Sequence, residues 1–203
     1  MAFSSDLADI DWTFQCNHCS GIVSHNFDCT LRLVPCPFAY AFLGGWGHQC
    51  DEKFMLKNLL RDCEAKHGRI EVMENGTTKD TKFSFYGGLR LDLTDYSTTP
   101  VKIEAYGRVF ITESVTMEGV YYQWVKLLGS PSEAKGFIFS LEYQGPKSTH
   151  VFLSEVAAID DTVDDVISSG KSSSIGFRIF KNQFMNGNTI NYSWSITVKR
   201  IDE

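Results

Sequence analysis

The chain of 203 residues is 43% hydrophobic and 13% aromatic, enough apolar material for one sizeable core or a core with a small appendage. A formal net charge of -6 argues against a general phosphate-binding role, because non-specific nucleic-acid affinity rests on surplus Lys and Arg, and no basic cluster offsets that balance. No window approaches the roughly 18 apolar residues of a membrane span and the start, MAFSSDLADIDW, carries no hydrophobic leader, so the expected setting is the cytoplasm, extending to the nucleus.

All six cysteines lie in the first third of the chain. In a reducing compartment that pattern favours metal thiolates over disulfides. With nearby histidines the cysteines fall into two sets of four: Cys16, Cys19, His25 and Cys29, then Cys36, Cys50, Cys63 and His67. Each set has the make-up of a closed tetrahedral zinc shell, which is structural because no position stays open for water. In the second set, Met55, Leu56, Leu59, Leu60 and Cys63 recur at helical spacing, which predicts a helix that places Cys63 and His67 one turn apart and ends at Gly68. The alternative is a set of buried thiols without metal. The boundary is drawn after residue 68, giving a zinc-finger region at 1–68 and a second region at 69–203, each expected to have its own core.

Past Gly68 the texture changes to short alternating segments. Strands are expected at 69–73, 82–86, 89–93, 101–106, 108–112 and 114–117, broken by Asn75-Gly76, Gly87-Gly88, Thr99-Pro100 and Gly107. Segments 121–128 and 137–143, joined by a stretch with Gly129, Pro131 and Gly136, read as a hairpin or a near relative of one. In the second arm Phe137, Phe139, Leu141 and Tyr143 alternate with more polar residues, so this row should face the core. An acidic-start helix is expected at 160–168, where Val163, Val166 and Ile167 follow a run of aspartates. Further strands are expected at 150–156, 175–180 and 192–198. Strands at this density make a mainly β protein with an antiparallel sandwich.

No nucleophile elbow, metalloprotease helix, P-loop or dinucleotide fingerprint occurs, and His150 is the only histidine after residue 68. The weight falls on binding instead of catalysis.

The run VKLLGSPSEAKGFIFSLEYQG, the segment DDTVDDVISSG and the ending IGFRIFKNQFMNGNTINYSWSITV resemble the C-terminal half of the seven-in-absentia (Sina/Siah) family. The resemblance implies two zinc fingers followed by a TRAF-like antiparallel β-sandwich, together the substrate-binding half of a RING-type E3 ubiquitin ligase. It implies a homodimer, and protein or peptide substrates bound as extended degrons at a sheet edge, with Ile70, Val72, Val101 and Ile103 on the groove walls. The order of ligands fits, with Cys63 standing where the family has its third, histidine ligand. Two departures matter: Pro100 stands where the family has a groove aromatic, and no RING is apparent. A RING needs eight Cys/His ligands of its own and the finger region takes all six cysteines, so ligase activity is not expected of this chain alone. An E2 or RING partner would be reached through another chain. The alternative is a structural or scaffolding oligomer with no peptide ligand.

Overall fold

The computed structural model describes residues 13–15, 22–24, 32–39, 50–76, 78–84, 98–186 and 189–201. Strands β1 (Thr13–Gln15) and β2 (Ile22–Ser24) pair antiparallel, as do β3 (Leu33–Pro35) and β4 (Lys53–Met55). A 3-10 turn (Leu56–Asn58) leads into α1 (Leu59–His67), which buries Leu59 and Cys63 on one face as their spacing predicts. Gly68 ends the helix at φ 87°, a left-handed value without the usual Cβ penalty, and its N–H donates to the Glu64 carbonyl at 3.0 Å.

There follow β5 (Glu71–Glu74), β6 (Thr78–Ser84), β7 (Val101–Ala105), β8 (Arg108–Met117) and β9 (Val120–Leu127), then α2 (Pro131–Ala134) and β10 (Phe137–Gln144). The chain continues through β11 (Thr149–Glu155), β12 (Ala157–Ala158), α3 (Val163–Ser168) and β13 (Ser173–Gly176). It reaches β15 (Thr189–Arg200) by way of α4 (Phe177–Phe184) and β14 (Met185–Asn186). No described helix is long and apolar enough to cross a membrane.

The protein is mainly β. One sheet of six strands runs β12-β9-β8-β7-β5 with β13 also on β9, and one of five runs β11-β10-β15-β14 with β6 also on β15. The two sheets share a core: Val101, Ile103, Phe110, Tyr121, Val125 and Leu127 come from the first, and Phe139, Leu141, Tyr143, Trp194, Ile196 and Val198 from the second. The outward side of the first sheet is covered in part by α3, where Val163 and Val166 cluster with Trp124 and Ala157.

Several expectations need correction. Segments 121–128 and 137–143 do not form a hairpin: β9 pairs with β8, β12 and β13, while β10 pairs with β11 and β15. Their apolar rows face one core from opposite sides, so the chain must cross between sheets. The crossing is made by α2, fixed by Pro131 in its first turn and a capping box in which Ser130 and Glu133 satisfy each other's backbone N–H. The first sheet is mixed, not purely antiparallel, because β5–β7 and β12–β9 are parallel. Parallel neighbours need a long crossover, and between β5 and β7 the chain visits the other sheet as β6.

The two strands expected between 108 and 117 are one, since Thr112 and Glu113 stay in register with Val125 and Trp124 of β9. The strand expected at 175–180 ends at Gly176, and α4 begins at Phe177 because Phe180 and Phe184, four apart, bury the same helix face. The segment at 89–93 lies outside the described residues, as does the end of the one at 82–86.

Candidate metal centre

Cys36 follows β3 directly, in a turn where its N–H donates to the Glu52 carbonyl and its own carbonyl accepts from Ala39, both at 3.0 Å. The Phe38 N–H points at Cys36 Sγ, 3.4 Å away, an arrangement that favours a thiolate at that sulfur. Cys50 enters just before β4, whose register with β3 (Val34 opposite Phe54) brings both ends of the ribbon together. The helix α1 supplies Cys63 and His67 from successive turns.

The structure gathers Cys36, Cys50 and His67 into a group whose ligand atoms all lie within 4.8 Å of one another and which is able to hold a metal ion. Cys36 Sγ lies 3.3 Å from His67 Nε2 and 3.8 Å from Cys63 Sγ. A tetrahedral ion with bonds of about 2.0–2.3 Å separates its ligand atoms by about 3.3–3.8 Å, so both spacings suit tetrahedral edges, while the Cys63 sulfur stays outside the group of three. The thiols of Cys36, Cys50 and Cys63 are buried, and His67 is half-buried.

Burial and the closeness of the groups to one another set their protonation. The neighbouring Cys63 thiol and then burial push the Cys36 thiol well up, and burial raises Cys50. Burial first, then Lys66, lowers His67, so its ring is held neutral with a lone pair to give. Binding an ion here releases the thiol protons. Phe38 stacks on the His67 imidazole with centroids 4.6 Å apart and planes 16° from parallel, fixing the ring's orientation. Lys66 pairs with Glu52 at the rim.

Around the ligands, Val34, Phe38, Leu59, Ile70 and Ile159 form a cluster with Cys36, Cys50 and Cys63. Ile70 and Ile159 come from beyond residue 68, so this cluster, distinct from the core between the two sheets, draws on residues from both sides of the expected boundary. Arg32 reinforces the joint: it pairs with Asp160 at 2.9 Å and donates to the Gly129 carbonyl at 3.0 Å. Sequence reading misses Phe38, Arg32 and Ile159. The local signal that could have found Phe38 is an aromatic two residues after a cysteine.

The other candidates divide. Cys16, Cys19, His25 and Cys29 lie outside the described residues, although β1 and β2 end one residue before Cys16 and His25 respectively. Of the four expected groove residues, Val72 is 49% exposed, while Ile70, Val101 and Ile103 are buried. Ile70 belongs to the metal cluster, and Val101 and Ile103 point into the shared core from β7. Those three side chains therefore position the β5–β7 edge and do not face outward from it. The aspartates of 160–168 have duties of their own: Asp160 holds Arg32, Asp161 pairs with Lys171, and Asp165 caps α3 through Thr162.

No family model matches this chain, and no curated protein matches it.

Proposed function

We propose that this chain is a zinc-containing, TRAF-like adaptor of the seven-in-absentia kind, which recruits protein substrates for ubiquitin-dependent turnover by accepting an extended peptide along β5. The observation that carries this reading is the placement of β5: it ends the six-stranded sheet, pairs only with β7 among the described residues, and carries the exposed Val72. A strand at the end of a sheet offers a backbone for an added strand, which gives affinity, and an outward side chain offers selectivity. Cys36, Cys50, Cys63 and His67 would hold one zinc, whose part is to tie β3 and α1 together. Cys16, Cys19, His25 and Cys29 would hold a second.

A scaffolding homodimer is the second reading, favoured by β11. This strand is the other sheet's edge, and Val151 and Leu153, two apart on its outward face, are 62% and 68% exposed. Antiparallel pairing of two β11 strands about Phe152 would set Val151 against Leu153 of the second copy.

A peptide array probed with the zinc-loaded protein separates the two. The adaptor reading expects reproducible enrichment of short extended motifs, weakened about ten-fold or more by Val72→Glu, because a charge on that face disfavours an apolar contact. Absence of enrichment, together with a dimer that Leu153→Glu dissociates in sedimentation, replaces it with the scaffold.

A further inference from the structure

Only Gly68, Arg69 and Ile70 stand between the metal ligand His67 and the first residue of β5. Ile70 is 1% exposed, packed among Cys36, Phe38, Cys50, Leu59 and Cys63, and its N–H donates to Glu64 Oε1 of α1 at 3.3 Å. The strand that begins one residue later pairs within its sheet with one neighbour, β7, among the described residues. It has four residues, in parallel register with Val101, Lys102, Ile103 and Glu104, and Met73 is its single buried side chain. Short parallel edge pairing is the weakest form of sheet support.

Both ends of β5 are instead held from outside the sheet. At the far end Asn75 brackets Val198 of β15, donating to its carbonyl at 3.0 Å and accepting from its N–H at 2.7 Å, while the Gly76 N–H donates to the Ile196 carbonyl at 3.0 Å. At the near end the anchor is Ile70, and what holds Ile70 is the metal cluster. That cluster is itself fixed to the two-sheet body at a second place, where Arg32 grips Asp160 and Gly129 and where Ile159 enters. The ligand-bearing turn after β3 is thus seated on the body independently of β5. Phe38 stacked on His67, Leu59 in the shared cluster and the Lys66–Glu52 pair already hold α1 to that turn, and an ion bridging Cys36 to His67 would be its strongest single tie.

We propose that metal occupancy of the Cys36–Cys50–Cys63–His67 centre sets the order of the edge strand β5, making the metal a positioning device for the peptide-accepting edge. With an ion bridging the β3 turn and α1, Ile70 is clamped and β5 keeps its register on β7. Without it, α1 is free to shift, Ile70 loses its packing, and residues 71–74 open locally while the shared core persists. Peptide affinity then follows metal occupancy, because a strand that must first be ordered binds with less net free energy. This last step rests on the adaptor reading. The ordering of β5 does not.

The test is hydrogen exchange on the full chain, zinc-loaded and after chelation, with zinc content measured on both samples. Chelation should speed exchange of the amides at 71–74 by about ten-fold or more, a loss of about 1.4 kcal/mol in opening free energy, while amides of β10 and β15 keep their protection. Ile70→Ala should bind zinc in normal stoichiometry yet show fast β5 exchange whether or not zinc is present. Unchanged protection of 71–74 in the zinc-free protein overturns the proposal, and so does loss of protection throughout β10 and β15, which would make the metal a prop for the whole fold. Zinc-dependent β5 order without peptide binding under either condition overturns the adaptor reading alone.

Discussion

Lys126 and Glu113 sit diagonally across the β8–β9 ladder, Nζ 3.1 Å from Oε2, with side chains only 5% and 6% exposed. Trp124 Nε1 donates to the same oxygen at 3.0 Å. Residues of this kind, met in a sequence, are normally assigned to a solvated face. Here the face is covered, and the charges survive because each has the other as its partner. Desolvation offsets most of what such a pair gains, but removing one member strands the other in a low dielectric. Lys126→Met should therefore destabilise the protein by about 3–5 kcal/mol in urea unfolding, and adding Glu113→Gln should recover part of the loss. A double variant no more stable than the single one would show that lost packing, not an orphaned charge, sets the cost. Gln123 makes a similar point within the core: its Oε1 accepts from Tyr143 at 2.7 Å and from Tyr121 at 3.2 Å, a role no spacing rule reveals. Burial pushes the Tyr121 phenol up to about 12, so it remains a donor at any physiological pH.

At the next scale, α4 shows both what an element can hide and how it is fixed. Its faces carry Phe180 and Phe184, whose rings lie 4.7 Å apart and pack against Tyr143 and Tyr192. Gly145, in the turn between β10 and β11, lies directly beneath Phe184: a Cβ there would meet Cδ1 of the ring and would come within 2.7 Å of Cε1. Gly145→Ala should cost about 1–3 kcal/mol by overpacking, read from chemical denaturation, and Phe184→Leu in the same chain should relieve some of it. Equal stability of Gly145→Ala and the parent would show that the ring has room to move. The same element explains why parts of the fold are legible in the sequence and others are not. β10 and β15 are legible because each has one wet and one dry face, which forces a period of two over the whole strand. Ile175 to Phe180 also fits a strand when read alone, and only Phe184 exposes the longer period. Sheet membership of β9 and β10 is illegible because two rows facing one core look alike from either side of it. The candidate metal centre lies between these cases: Cys63 and His67 follow from helical spacing, whereas Arg32 and Asp160 meet across 128 positions without any local trace.

For the molecule as a whole, the metal region and the two sheets are joined by the Arg32 grip, by Ile159 and by Ile70, so a perturbation at the ligands reaches the edge strand through covalent and packed contacts. The second sheet has a different kind of dependence. β15 is its central member, with β10 and, at its start, β14 paired along one flank and β6 along the other, and it supplies Tyr192, Trp194, Ile196 and Val198 to the shared core. During synthesis the ribosome makes β6 and β10 long before β15. At about 5–20 residues per second, several seconds pass between the release of β10 and the arrival of its inner neighbour. Through that interval the nascent chain carries two strand flanks with unsatisfied backbone groups and an apolar row without its cover, the condition that invites chaperone capture or misassociation. A stop codon after residue 188 should yield a chain with no cooperative thermal transition and a strong tendency to aggregate. A soluble, sharply melting product from that truncation would show instead that β6, β10 and β11 can close without their centre. The last of the described strands to leave the ribosome is thus the one that commits the molecule to its native state, and a nonsense or frameshift error just ahead of β15 should be nearly as damaging as one far upstream.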